Sequence, residues 1–569
     1  MLQYFGQFNL TCSPMSKFIF VSGGVISGIG KGVTSASIAF IMKSYGYKVT
    51  MIKADPYLNV DAGTMNPLEH GETFVLEDGF ETDMDIGTYE RFTDENFGRK
   101  NSMTCGAVLN QVIKDERSLA FEGKWVSMDF HVPDGMVTWI KNVSEETKAD
   151  ITIIEIGGTV GEIANTLFLE ANRVMKVKSP SDVIHVHVSY LPVPSNLGEM
   201  KTKPVQISVR LLNNAGINPD FIIARSEVGM DEFRASHLAK HCTVNEENVI
   251  DAPDVDNIYK IPVNFDEQNL GEKIVKVLGL KREKNELFTA WKSKVDSINI
   301  IKKSVKIGVV GKYFQSGKFS LKDSYVSVLE AIRHASWECG VNSEIEWFVA
   351  DDFENNLDAI SKIKNFPGII IPQGWGSRGV EGKIKAVEIA RTNKIPYLGL
   401  CFGMQMAVIE YARNVLGLEG ANSEEVDPNT KYPVVHIMEY QKQLLEKQQY
   451  GGTVRLGAYP CEVKKGSILE ELYADGIKNG NSLYNLPTVM ERHRHRYEFN
   501  NEYREMLEKA GMIISGTSPD GNLVEAIELP KKVHPFFIGT QYHPELKTRF
   551  IHPHPIFVGF INQVKKLTN

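Results

Sequence analysis

The sequence predicts an α/β protein of two domains, each built on a parallel sheet. Three observations predict it. The chain has 569 residues, too many for one hydrophobic core of ordinary size. Short apolar, β-branched runs alternate with amphipathic stretches in two separate series, which is how buried parallel strands and their covering helices read. A charged, glycine-free stretch at about 281–304 (KREKNELFTAWKSKVDSINIIKKS) stands between the series and reads as a helical connector.

In chain order, residues 1–14 come first. They have no basic segment and no sustained apolar core, so a flexible extension, or translation from an upstream start codon, is expected and not a secretion signal. The first domain, 15–280, has strand-like runs at Lys17–Ser22, Lys48–Lys53, Ile151–Ile156, Val183–Val188 and Phe221–Ala224. The second, 305–569, opens at Val305 and continues through Pro367–Pro372, Pro396–Leu400 and Phe537–Gln541. The polar segment 437–452 is expected to form a surface lid or loop.

Composition narrows the function. A net charge of −8 offers no basic surface for nucleic acid, so any phosphate must be bound locally by a few lysines and backbone N–H groups. No apolar run is long enough to span a bilayer, and no membrane partner is expected. Cysteines at 12, 105, 242, 339, 401 and 461 form no CxxC pair, which argues against a zinc site or a disulfide framework and for a reducing, cytoplasmic setting.

The strongest local signal is PYLGLCFGMQ, Pro396–Gln405. A strand runs into a tight turn carrying Cys401 between Gly399 and Gly403, and a helix follows. Such an elbow exposes the sulfur near a helix N-terminus, and both features favour a reactive thiolate. His543, just after a predicted strand, is the candidate base, and Glu545 is the group that orients and charges it. The turn Pro372-Gln373-Gly374-Trp375-Gly376 could supply an oxyanion hole. Taken alone, Cys401 would read as one more buried thiol; the three features together point to a nucleophile.

In the first half, GGVISGIGKG (Gly23–Gly32) lies between a strand and a helix. Its glycines let backbone N–H groups face phosphates, and Lys31 adds charge. Gly32 stands where a Walker A motif has its metal-binding Ser or Thr, so a metal must be held elsewhere. Asp85 in EDGFETDMD and Glu155 at the end of ITIIEIGG are the candidate Mg²⁺ ligands. Glu77, Asp78 and Glu81 read as solvated surface.

On these residues the second half resembles the class I glutamine amidotransferases. With ANSEE (421–425), GGTVRLGA (451–458) and ERHRHRYEFN (491–500) it is similar to the CTP synthase family in particular. The first half matches that family through GGVISGIGKG, KADPYLNVDAGTMNP, EHGETFVLEDGFETDMDIGTYERF, EIGGTVGEI, GEMKTKPVQ and DVDNIYKIP. The resemblance implies a P-loop-type synthetase domain followed by a glutaminase, and ATP- and glutamine-dependent amination of UTP to CTP through a 4-phosphorylated pyrimidine. It implies ATP at Gly28, Ile29, Gly30, Lys31, Gly32, Val33, Lys53, Asp85, Asp254 and Val255. The acceptor would sit at Ser27, Glu162, Ile163, Ala164, Lys201, Thr202, Lys203, Gln206, His237 and His241. Glutamine would be held by Gly374, Phe402, Gln405, Glu425 and Arg496. It further implies Mg²⁺ on Asp85 and Glu155, His70 along an ammonia passage, GTP as an effector, and homotetramers that can stack into filaments.

The sequence departs from the family pattern in places. Gln373 stands where glycine is usual. FEGKWVSMDFHVP (Phe121–Pro133) keeps only Gly123, Val126 and His131. Ala164 removes a carboxylate, His237 replaces a lysine, His241 a phenylalanine and Pro253 a lysine. Two alternatives therefore stand beside CTP synthesis: the same chemistry on another uracil-type nucleotide, and a filament-forming regulatory homologue.

Overall fold

The structure, a computed structural model, describes residues 16–196, 198–282, 286–312, 315–316, 319–320, 322–438, 441–443 and 452–568. The expected extension at 1–14 lies outside the described residues, as do 439–440 and 444–451 of the 437–452 segment. The chain divides into two compact units. One comprises residues up to Asp61 together with Thr88–Val295; the other comprises Ala62–Gly87 together with Asp296–Asn569.

The first unit is built on seven parallel strands in the order Ser102–Thr104, Val49–Asp55, Ile151–Ile156, Lys17–Gly24, Val183–Tyr190, Phe221–Ser226, Val249–Pro253. Ile151–Ile156 is buried at every position, as a strand with helices on both faces must be. This explains why such strands read as unbroken apolar runs. The predicted connector contains the helix Leu287–Asn299. Its Trp291, 1% exposed, packs tilted against Phe40 at 4.1 Å between ring centres and donates its indole N–H to Tyr259 O at 2.8 Å. One aromatic thus fixes this helix to the first unit.

The second unit has nine strands. Asn342–Val349, Ser304–Gly311, Ile369–Ile371, Tyr397–Leu400 and Phe537–Thr540 are parallel neighbours in that order. An antiparallel extension through Val524–Glu528, Ile513–Thr517, Arg455–Val463 and Thr488–His495 completes the sheet. The patterning did not announce this extension, because its last two strands bury Arg455, Glu491, Arg492, His493 and His495 where apolar residues would have marked a strand.

Segment 62–87 corrects one expectation. Glu81 is 4% exposed and receives Arg494 Nε at 2.8 Å, while Glu77 receives Arg492 Nε at 3.1 Å and pairs with Lys547 at 3.4 Å. Burial would raise the Glu77 carboxyl, but Arg492 and Lys547 hold it below the usual range. Of the three carboxylates read as solvated surface, only Asp78 is exposed. Their partners lie more than 400 residues away, beyond the reach of local composition. Gly457 shows the same packing: at φ +94° a Cβ there would stand 2.6 Å from the Gly79 nitrogen, so only glycine fits.

Candidate active site

The elbow is built by close backbone approach. Strand Tyr397–Leu400 ends at Cys401, with φ +50° and ψ −99°, and helix Phe402–Asn414 follows. A Cβ on Gly403 would meet Ile371 O at 2.0 Å, and one on Gly399 would meet the Gly403 carbonyl carbon at 2.8 Å. The turn is held by Cys401 N–H on Thr540 O at 2.6 Å and by the Tyr397 hydroxyl on Gly403 O at 2.8 Å. This backbone is strained for any residue with a side chain, and the surrounding packing enforces it.

His543 follows strand Phe537–Thr540, which lies beside Tyr397–Leu400, so the two strand ends bring base and thiol together. His543 Nδ1 bonds Glu545 Oε1 at 2.7 Å, which directs Nε2 to the other side of the ring. Burial alone would depress His543. The Glu545 carboxylate and the Cys401 sulfur outweigh it and raise its pKa to about 10. Gln541 Nε2 donates to Cys401 Sγ at 3.5 Å.

Cys401 and His543 line one cavity with Gly374, Phe402, Gln405, Glu425 and Arg496. Glu425 Oε1 accepts the Gly376 N–H at 2.7 Å; burial raises its pKa against that bond and the nearby Lys312 and Arg496. Arg496 donates to Gln441 Oε1 at 2.9 Å and to Thr453 Oγ1 at 3.1 Å. A carboxylate and a guanidinium beside a thiol suit an α-amino acid, whose ammonium and carboxylate they complement. Gln373 bonds Glu72 Oε1 through Nε2 at 3.3 Å and so ties the Pro372–Gly376 turn to segment 62–87.

In the first unit, Gly28 and Gly30 take φ +69° and +92°, and Ile29 is buried between them. Lys31, Gly32 and Val33 form the first turn of helix Lys31–Ser44, and Lys31 Nζ reaches Gly158 O at 2.9 Å. Lys53 Nζ lies 3.2 Å from Glu155 and 3.5 Å from Asp55, and Tyr89 also donates to Glu155. Asp85, in the first turn of helix Met84–Thr93, belongs to segment 62–87 of the second unit, and its N–H donates to Asp83 Oδ1.

Asp254 pairs with Arg225 at 2.7 Å. Val255 follows it, half-buried. Glu162, Ile163 and Ala164 form an exposed turn near the end of strand Ile151–Ile156, and Ser27 is exposed in the phosphate loop. Lys201 pairs with Glu199, and Thr202 accepts from Gln206 at the start of helix Lys203–Asn214. His237 and His241 stand one helical turn apart, rings 4.3 Å between centres.

Sequence reasoning passed over Asp55, Arg225, Lys312, Lys383 and Gln541. Asp55 lay within the quoted KADPYLN, whereas Arg225 carries no local signal. Its Nε stands 3.6 Å from where a Cβ on Gly30 would be, which puts a guanidinium beside the phosphate loop.

Residues 17–280 match the family model for the CTP synthase N-terminus, and residues 320–563 match class-I glutamine amidotransferase. A protein named CTP synthase from Sulfolobus acidocaldarius is 47% identical over 548 residues, covering 96% of this chain and 99% of its own. Proteins of the same name are 45% identical over 554 residues in Caldanaerobacter subterraneus, covering 97% and 99%, and 47% over 551 residues in Methanocaldococcus jannaschii, covering 96% and 98%.

Proposed function

The chain belongs to the CTP synthase family, glutamine-hydrolysing ligases that aminate UTP with ATP, and we propose that Cys401, His543 and Glu545 generate the ammonia. The observation that carries this assignment is the strained Cys401 elbow beside the His543–Glu545 pair in a cavity that also holds Glu425 and Arg496.

Glutamine binds with its ammonium toward Glu425 and its carboxylate toward Arg496, which sets its side-chain amide against Cys401. The sulfur attacks the amide carbon. His543 holds the proton and delivers it to the departing nitrogen, so ammonia leaves and a glutamyl thioester remains. Water, deprotonated by His543, then releases glutamate. In the synthetase half, ATP phosphorylates O4 of UTP, turning a poor leaving group into a good one, and ammonia displaces phosphate to give CTP.

We assign the ATP phosphates to residues 28–33 with Lys31 and Lys53. Asp254 and Val255 are placed near the ATP base, and the acceptor phosphates are assigned to Lys201, Thr202, Lys203 and Gln206. The donor set beside the phosphate loop suits a hard cation, since Glu155 and Asp55 present carboxylate oxygens at neighbouring strand ends with Lys53 between them. We assign Glu155, and Asp85 on sequence grounds, to Mg²⁺, which would neutralise phosphate charge. GTP as effector, a homotetramer, filaments, His70 on the ammonia route and a cytoplasmic setting are proposed on the family resemblance alone.

The test supplies purified protein with UTP, ATP, Mg²⁺ and either glutamine or ammonium. CTP is expected from both nitrogen sources, and Cys401→Ala is expected to abolish only the glutamine-driven reaction. No CTP from either source would overturn the reading.

A further inference from the structure

The turn Pro372–Gly376 has its carbonyls held from outside. Lys383 Nζ donates to Pro372 O at 2.9 Å, and the Tyr325 hydroxyl donates to Gln373 O at 3.3 Å. Lys312 Nζ donates to Trp375 O at 3.2 Å and to Gly376 O at 2.7 Å. In a trans peptide the N–H points opposite the preceding carbonyl. With Gln373 O fixed on Tyr325, the Gly374 N–H is turned the other way. It makes no hydrogen bond among the described residues, and Gly374 lines the cavity with Cys401. The next peptides are fixed similarly: Trp375 O rests on Lys312 while the Gly376 N–H rests on Glu425.

Both lysines are buried, Lys383 completely and Lys312 to 6% exposure. Their Nζ atoms flank the Phe402 ring, at 4.3 Å for Lys312 and 5.2 Å for Lys383. Burial pushes Lys383 far below the usual lysine range and Lys312 adds to this, while an ionised Cys401 opposes it. Burial brings Lys312 down to about 8 against the pull of Glu425. No carboxylate among the described residues lies within ion-pair distance of Lys383. Burial thus favours its neutral amine, which still donates to Pro372 O.

We propose that Lys312 and Lys383 are positioning residues of the glutaminase, clamping the Pro372, Trp375 and Gly376 carbonyls on either side of the peptide that Tyr325 holds, so that the Gly374 N–H is ready for the oxyanion formed on the glutamine amide. The clamp acts through the turn and rests on the Cys401 reading above. Fixed dipoles aimed at a developing oxyanion need no reorganisation when the charge appears.

The experiment uses the full chain with Lys383→Met, Lys312→Met and Cys401→Ala. Four readouts are taken: kcat and KM for glutamine hydrolysis, ammonia-driven CTP formation, Tm, and affinity for glutamate γ-semialdehyde. The thiol adds across that aldehyde's C=O, placing its oxygen where the oxyanion forms. Each lysine variant is expected to lose about tenfold or more in kcat, less than the loss of a direct donor. For Lys383→Met, KM and ammonia-driven synthesis should stay within about twofold to threefold of wild type. Its Tm should fall by no more than about 2–4 °C, because an apolar chain of similar size fills the site and only the bond to Pro372 O is lost. Semialdehyde affinity should fall in step with kcat. Lys312→Met should also raise KM, since Lys312 holds the peptide that binds Glu425. The proposal is overturned if both variants keep kcat within about twofold, or if kcat falls only in parallel with Tm and ammonia-driven synthesis. Glutamine hydrolysis by Cys401→Ala would overturn the nucleophile assignment beneath it, a result distinguishable from either of these.

Discussion

His543 carries a clear pH signature. Its pKa of about 10 reflects Glu545 and Cys401 overcoming burial. That lies above an unfolded value near ~6.5, so the bound proton stabilises the fold fully below about 6.5 and the contribution fades as pH rises toward about 10. Glu545→Gln removes the largest charge holding that proton. The alkaline limb of glutamine hydrolysis should then move to lower pH, with a loss in kcat of about 10²-fold, and a pH profile of kcat/KM checks it. An unmoved limb would show that Glu545 does not charge His543. Cys401, His543 and Glu545 were legible in the sequence because their side-chain chemistry sits in short motifs. Lys312 and Lys383 were not, because the role proposed for them comes from meeting the carbonyls of a turn 64 and 11 residues away in sequence.

At the scale of elements, the elbow depends on contacts that allow no side chain. Gly403→Ala would drive a Cβ into Ile371 O, a backbone atom of the adjacent strand that no rotamer change can move. A destabilisation of about 1–3 kcal/mol is expected, read as a lower Tm, together with a larger fractional loss of glutaminase than of ammonia-driven synthesis. Equal losses of both activities would argue for general unfolding instead. The strand Thr488–His495 is tied to segment 62–87 by Arg494–Glu81 and Arg492–Glu77. Arg494 O also lies 3.9 Å from Cys401 Sγ. Glu81→Gln leaves Arg494 without its charge partner. It should cost about 2 kcal/mol, less than a fully buried pair because Arg494 retains 18% exposure, and denaturation of the variant measures it. Parallel strands such as Ile151–Ile156 were legible as apolar runs. The last two antiparallel strands, Arg455–Val463 and Thr488–His495, were not, since charged and imidazole side chains take several of their buried positions.

At the scale of the molecule, the chemistry divides into two separable activities. Glu155 is 1% exposed at the end of strand Ile151–Ile156, with Lys53 at 3.2 Å, and is assigned to the nucleotide-phosphate half. Strand Tyr397–Leu400 carries Cys401 in the other unit. The sequence divided the strand series at about 281–304 but gave no hint that 62–87 belongs with the later half, because that assignment rests on partners such as Arg492 and Gln373 that lie hundreds of residues on. The two nitrogen sources therefore distinguish the variants. Glu155→Gln keeps size and hydrogen bonding but loses the charge that would hold Mg²⁺ and balance Lys53. CTP formation should fall by about 10²-fold or more with glutamine and with ammonium alike, while glutamine hydrolysis measured as glutamate release persists. Cys401→Ala should show the reverse pattern, with ammonium-driven CTP formation intact and glutamate release lost. If Glu155→Gln instead lost only the glutamine-driven reaction, the carboxylate would act in ammonia supply and its assignment to the phosphates would fall.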